Sequence, residues 1–533
     1  MTPEQSLDRR HWLQAAAALG GVAGAWPLAG WAQAARGGTL VVGTTMRPRH
    51  LNAAVQSGPQ TMFPAAQIFA SPLRMDANWQ PQPWLAERWT LSPDNRSVTL
   101  HLRRDAVFHD GHPVTAEDLK FSLETLRDHH PFKSMYAPLN AVTIENSHTA
   151  VVRLSEPHPA LLLAMSTALS PVLPRHIFGD GTDPKVHPRN ANPIGCGPFK
   201  LVEFKPGEHI VMERFDRFFI KDLPRLDRLI IREFKDPASL LLAFERGEVD
   251  VHPVLTDARD LERARKVPGA QLVTGAAPAI GPVTWLAFNI ANPKLADKRV
   301  RQAISYAIDR RFVLDQLLSG LHGPATGPIA SGSPYYSADV ERYAYNLDKS
   351  RQLLDAAGAK PGAGGTRFAL ELDSHPGAPD MRAIQEYIKP ALAKVGIEVA
   401  VRTSPDFPTW IRRVSSQQFE MTLDSMWNWG DPVIGVHRAW LSSNIRPGVI
   451  WTNTQSYRND KVDALLAAAG QEMNQARRKA LYKDMQRIVV DDCPVAFLYE
   501  MKLNEAYRAN VVDVPKGIWG LIDTQAGIGV RKG

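Results

Sequence analysis

The spacing of apolar positions changes repeatedly along this chain, and each change marks an element. Residues 38–44, Gly-Thr-Leu-Val-Val-Gly-Thr, form a short apolar run of the kind that makes a buried strand. Residues 89–103 predict a hairpin: Ser92-Pro93-Asp94-Asn95 supplies the turn, and Val98, Leu100 and Leu102 alternate with Thr99, His101 and Arg103. Residues 149–157 alternate in the same way. The period lengthens after Thr115, where Leu119, Leu123 and Leu126 recur at helical spacing and Pro131 sets the latest stop. Residues 235–251 read as a helix and then a strand, with Asp236 as cap, Pro237 in the first turn and Gly247 as terminator. Residues 297–320 predict one amphipathic helix, with Val300, Ile304, Ala307, Ile308 and Leu314 on one side and Gly320 at its end. Strands at 368–373 and 397–402 flank a helix at 381–396 that contains Pro390, an order that calls for a mixed or parallel sheet. A helix at 479–492 and a buried strand at 495–499 follow. Alternation of this kind throughout predicts α/β lobes.

Composition narrows the class. With 533 residues, 44% of them hydrophobic and 22% charged, the chain is long enough for two or three globular domains. The net charge of +7 is spread, and no Lys/Arg run is interleaved with aromatics, so no nucleic-acid partner is expected. Residues 1–34 are read as a cleaved export signal. A basic start precedes an Ala/Gly-rich apolar segment and the small-x-small Ala32-Gln33-Ala34. Arg9-Arg10 with Trp12 and Leu13 resembles a twin-arginine signal, although Asp8 and Trp12 depart from the usual residues. No later stretch reaches the ~18 unbroken apolar residues of a membrane span, so the mature chain is expected to be a soluble periplasmic protein.

Candidate chemistry is sparse. His109, Asp110 and His112 crowd into four positions, but Asp110-Gly111 signals a tight turn that could aim the two rings anywhere. Thr115-Ala116-Glu117-Asp118 is close to a capping box, with the Thr115 hydroxyl placed to accept a free backbone N–H. A turn and a capped helix therefore outweigh a metal or acid–base site. No His-Glu-x-x-His, Gly-x-Ser-x-Gly or Cys-x-x-Cys occurs, and Gly195-Cys196-Gly197-Pro198 lacks the third glycine of a phosphate loop. No catalytic residue, metal ligand or cofactor is expected. The stretch 424–432, Asp-Ser-Met-Trp-Asn-Trp-Gly-Asp-Pro, places Trp427 and Trp429 around Asn428 beside a polar turn. It suits either a ligand wall or a core tryptophan pair. Cys196 and Cys493, an even count in an exported chain, leave a disulfide possible; a lone small buried residue at Cys196 is the other reading.

Residues 85–124, from Leu-Ala-Glu-Arg-Trp through Phe-His-Asp-Gly-His-Pro-Val-Thr-Ala-Glu-Asp, resemble the signature of the extracellular solute-binding proteins of family 5. These are the dipeptide-, oligopeptide- and nickel-type receptors of ABC importers. Segments 192–204, 244–251, 300–310, 346–358 and 457–469 are similar to further blocks of that family, in its order. The resemblance implies an α/β, two-lobed periplasmic-binding-protein fold with a hinge and an extra subdomain inserted in lobe one. Lobe one would comprise residues 35–75, 190–285 and 495–533, the inserted subdomain 76–189, and lobe two 286–494. It implies a monomer without catalysis that captures a peptide or peptide-like solute and delivers it to ABC importer permease subunits. An exported hydrolase and a metal-chelate, nickel-type receptor are the alternatives.

The family's peptide-binding members carry an aspartate for the ligand amine in the loop at 427–432. Counted back from Pro432 that position is Asn428; counted forward from the strand it is Trp429. Neither is acidic; Asp431 is the residue that could substitute as a ligand contact, although it matches a turn residue of the family rather than the amine anchor. The resemblance further implies Trp410 as an aromatic facing ligand, and Arg47 and Arg49, just after the first strand, as carboxylate partners or plain surface residues. A cleft without that anion is expected to take a ligand whose amine is blocked, remote or missing.

Overall fold

The computed structural model describes residues 36–531 apart from 374, 377 and 378; the expected export signal, with Arg9 and Arg10, lies outside the described residues. Two large sheets organise the chain. The first has seven strands in the order Gln271–Val273, Asn504–Tyr507, Val251–Leu255, Thr39–Thr44, Arg228–Glu233, His209–Arg214 and Phe199–Lys205. Thr39–Thr44 is central, parallel to the strands on both sides, with Leu40 and Val42 fully buried. The helix Pro237–Arg246 makes the parallel crossover possible. Asp236 accepts from the Ser239 N–H at 2.8 Å to start it, and Gly247, at φ 78°, ends it in the left-handed conformation that glycine adopts without penalty.

The second sheet has six strands in the order Gly323–Pro324, Val495–Glu500, Pro282–Phe288, Met421–Trp427, Phe368–Asp373 and Ile397–Arg402. The last two are parallel and joined by the helix Pro379–Ala393, the expected β-α-β unit. A third, four-stranded antiparallel sheet is built from Ala86–Leu91, Ser97–Leu102, Thr149–Leu154 and Leu139–Asn146 and is packed by the helix Ala116–His129. The chain passes between the two large sheets through residues 274–281 and again through 501–503. The strand Val495–Glu500 pairs within the six-stranded sheet, so the crossing lies after Glu500 rather than at the expected 494.

Two local expectations are corrected and one is borne out. The single helix over 297–320 is broken: Lys298–Ala307 ends at Ile308, and a new turn begins at Arg310–Phe312, capped by Asp309, which accepts from the Phe312 N–H at 3.0 Å. The buried Arg310 guanidinium fixes the break by donating to the carbonyls of Phe497 (2.7 Å) and Ser305 (2.9 Å). The expected capping box is present at Thr115 and Asp118: Asp118 Oδ2 takes the Thr115 N–H at 2.9 Å and also the Thr115 hydroxyl at 2.8 Å. The disulfide is absent: Cys196 and Cys493 are free thiols buried in different cores, one with the seven-stranded sheet and one with the six-stranded sheet. Cys196 sits in a turn pressed so tightly on the helix Pro59–Ile68 that a Cβ on Gly195 would lie 2.1 Å from the Ile68 carbonyl oxygen. Burial pushes the two thiols up to about 12 and about 11.

Candidate functional site: an apolar cavity at the junction of the two sheets

Parallel strands leave a crevice at their carboxyl ends. Here Thr39–Thr44 runs out into Thr44, Met46 and Pro48, which border a cavity of about 220 Å³. Phe63, Trp519 and Leu521 supply further walls, Ile280 and Met501 come from the two crossings, and Trp427 closes the cavity from the end of its strand in the six-stranded sheet. The lining is apolar almost throughout. Among the described residues that line it, Glu505 alone is ionisable.

Glu505 is 4% exposed. Its Oε1 accepts from the Leu521 N–H at 3.0 Å, and its Oε2 accepts from the Tyr507 hydroxyl. Burial raises its carboxyl to about 7, against the lowering effect of these two donors. A carboxyl group facing apolar walls can donate a proton, accept a hydrogen bond or pair with a cation as the occupant requires.

The loop after Trp427 is held in place by the backbone of the first crossing. Asn428 and Gly430 donate to the carbonyls of Ile280 (2.8 Å) and Ala279 (2.6 Å). Trp427 stacks on Trp429, with centroids 5.6 Å apart and planes at 29°. Trp429 is buried, adopts φ 51° and packs against Phe132 of the four-stranded unit at 5.3 Å. Gly430, at φ 81°, must be glycine for a second reason: a Cβ there would meet Leu163 at 2.9 Å. Trp427 therefore presents the cavity face of the pair, and Trp429 belongs to the core behind it.

The other expected contact residues are committed elsewhere. Asn428 accepts the Ala330 N–H at 2.7 Å and donates to the Pro328 carbonyl at 3.3 Å, so its amide pins a neighbouring loop. Asp431 caps the short helix Pro432–Gly435 and pairs with Arg478 through two contacts of 2.7 Å. Trp410 is fully buried in the core of the six-stranded sheet, where its Nε1 donates to the Thr422 hydroxyl at 3.0 Å. Arg47 and Arg49 are exposed on the alternate positions to Met46 and Pro48; the Arg47 side chain is 57% exposed and 3.9 Å from Glu233. An extended segment sends successive side chains to opposite sides, so the period-two pattern of 44–49 was the available signal for this arrangement. Glu505 and Trp519 were not singled out in the sequence. The loop at 427–432 brings no acid to the cavity; Glu505 reaches it from the seven-stranded sheet instead.

The model of the bacterial extracellular solute-binding proteins, family 5 (middle region), matches residues 80–448. The chain is 25% identical over 512 residues to the oligopeptide-binding protein AppA of Bacillus subtilis, covering 91% of this chain and 89% of that protein. In three dimensions it is similar to the ABC transporter substrate-binding protein CtaP of Listeria monocytogenes, with TM-score 0.81, 23% identity, and 93% and 100% of the two chains covered. It is likewise similar to B. subtilis AppA solved with a nonapeptide, with TM-score 0.78, 23% identity, and 94% and 100% covered. No helix among the described residues is long and apolar enough to cross a membrane.

Proposed function

Since the chain belongs to the family 5 extracellular solute-binding proteins of ABC importers, we propose that it takes a small, largely apolar peptide-like solute into the cavity between its two large sheets. The observation that carries this reading is the cavity itself: apolar walls, Trp427 as the closing face, and Glu505 as the ionisable group among the described lining residues. A volume of about 220 Å³ lies below the ~300–1,000 Å³ of pockets for drug-sized molecules and suits a solute of one or two residues.

In this proposal the seven-stranded sheet with the four-stranded unit forms one lobe, the six-stranded sheet forms the other, and residues 274–281 and 501–503 are the hinge. Ligand touching both lobes selects the closed arrangement, which the permease then recognises. Glu505 stands in for the acidic anchor missing from the loop at 427–432 and receives a donor or ammonium group of the solute. Residues 1–34 direct export to the periplasm, and replacing Arg9 and Arg10 by lysine should leave precursor in the cytoplasm.

The test is calorimetry with apolar dipeptides, each also presented N-acetylated, on the mature protein and on Glu505→Gln. Binding of the free-amine forms, weakened at least ~10-fold by acetylation or by Glu505→Gln, is the expected result, as for loss of a charge-assisted hydrogen bond. Binding that is indifferent to both changes would remove Glu505 from the site. Failure of every apolar peptide, with a hydrophilic solute recovered from native protein by mass spectrometry, would reject the ligand class.

A further inference from the structure

The turn at 109–112 sends its two imidazoles to different places. The His109 ring points inward: Nε2 is 3.1 Å from the Gly197 carbonyl, Nδ1 accepts from the Gly195 N–H at 3.3 Å, and burial pushes the group down to about 4. The His112 side chain is 61% exposed and folds back on its own turn, Nδ1 lying 3.3 Å from Asp110 Oδ1. A third residue arrives from 64 positions along the chain. His176, in the helical turn Arg175–Phe178, brings Nε2 to 2.7 Å from Asp110 Oδ2. The rings of His112 and His176 stack side by side, with centroids 4.1 Å apart and planes at 29°. One potential donor atom from each of the three residues lies within 4.8 Å of the others.

We propose that Asp110, His112 and His176 form a binding site for a late first-row divalent cation, Zn²⁺ or Ni²⁺, on the four-stranded unit and separate from the cavity between the sheets. The donor set selects the class. Two imidazole nitrogens and one carboxylate oxygen suit Zn²⁺ and Ni²⁺, whereas Ca²⁺ and Mg²⁺ take oxygen ligands. Metal–ligand bonds of ~2.0–2.2 Å put neighbouring donors about 3–3.5 Å apart, so the present separations need only small side-chain rotations. The frame is already set. Phe108 N–H donates to the His112 carbonyl at 2.8 Å, Gly111 N–H to the Phe108 carbonyl at 2.9 Å, and Arg175 N–H to Asp118 Oδ1 at 2.8 Å. Glu117 and Asp180 share the surface depression with His112 and His176 and add negative charge, partly offset by Arg175. Solvent exposure leaves the remaining coordination positions to water.

Zn²⁺ titrated by calorimetry into untagged mature protein, in a non-chelating buffer, should saturate one site. His112→Ala and His176→Ala should each weaken it at least ~10-fold. His209→Ala, which removes a half-buried histidine paired with Glu203 instead, should leave it unchanged. Thermal melts of each variant identify any that misfold; His112→Ala, at an exposed position, keeps the test decisive if His176→Ala does. Co²⁺, read by its visible absorption, should follow the same order. Saturation weaker than about 1 mM, or wild-type affinity retained in folded His112→Ala, would overturn the assignment.

Discussion

Asp431 and Glu505 are both 4% exposed, yet they are opposite cases of a buried acid. Asp431 meets a guanidinium. Burial alone would raise its carboxyl, but the charge of Arg478 outweighs that and holds it below the ordinary range. Arg478 in turn donates to Ala469 O at 2.8 Å and to the Tyr335 hydroxyl at 2.7 Å, and lies over the Tyr335 and Tyr482 rings. That network is closed. Glu505 meets only a hydroxyl and a backbone N–H, and burial carries it up to about 7. Equal burial thus yields a structural ion pair in one place and an unneutralised acid in the other. The difference lies in whether the protein sets a cation beside the acid.

The comparison breaks most visibly at Arg478. Arg478→Met leaves Asp431 buried without its partner and should cost about 3–5 kcal/mol in urea unfolding. A loss under 1 kcal/mol would mean the pair is not the closed network described.

A pH series separates the two acids by sign. Glu505 has a folded value near 7 against an ordinary 4.5, so between these the folded state holds the extra proton. Its contribution is therefore full below pH 4.5 and declines by up to about 3 kcal/mol as pH rises through 7. Asp431, depressed, contributes above its ordinary 3.8 and loses that contribution as pH falls through its folded value. Unfolding free energies at pH 5 and pH 8 should differ less in Glu505→Gln than in the parent chain; an unchanged difference would place the Glu505 shift elsewhere.

Asn428→Asp sharpens the comparison at a third position. The substitution keeps an acceptor for Ala330 N–H but loses the donor to Pro328 O and sets a carboxylate against a carbonyl. Thermal melts should show about 1–2 kcal/mol of destabilisation, with no gain in affinity for free-amine peptides by calorimetry. The smallest effect is expected at Trp427→Ala: roughly 1 kcal/mol of ligand affinity with nearly unchanged melting. A reversed pattern, stability lost and affinity kept, would move Trp427 into the core beside Trp429.

Much of the fold could be read locally because its signals are local. The cap at Asp236, the stop at Gly247 and the unit spanning 368–402 depend on residues a few positions apart. The break at Ile308–Asp309 could not be read, because Arg310 is drawn inward by the carbonyl of Phe497, far along the chain. The cavity was less legible still. Arg47 and Arg49 carry the more suggestive chemistry, but Met46 and Pro48 face the cavity. Glu505 looks like any surface glutamate until Tyr507 and the tail at Trp519–Leu521 enclose it. Likewise Asp110 and His112 look like turn residues until His176 arrives.

The paired crossings at 274–281 and 501–503 carry a mechanical consequence. A body tethered by one strand can swivel about many directions. Tethered by two, it keeps mainly the rotation whose axis runs through both, as a door keeps one swing from a pair of pins. Travel then grows with distance from the pins: Trp427 and Glu505, near them, should barely shift, while the contact between Gln471 of the six-stranded lobe and Glu156 of the four-stranded unit, 2.7 Å, should open. A pair of spin labels flanking that contact would report the swing.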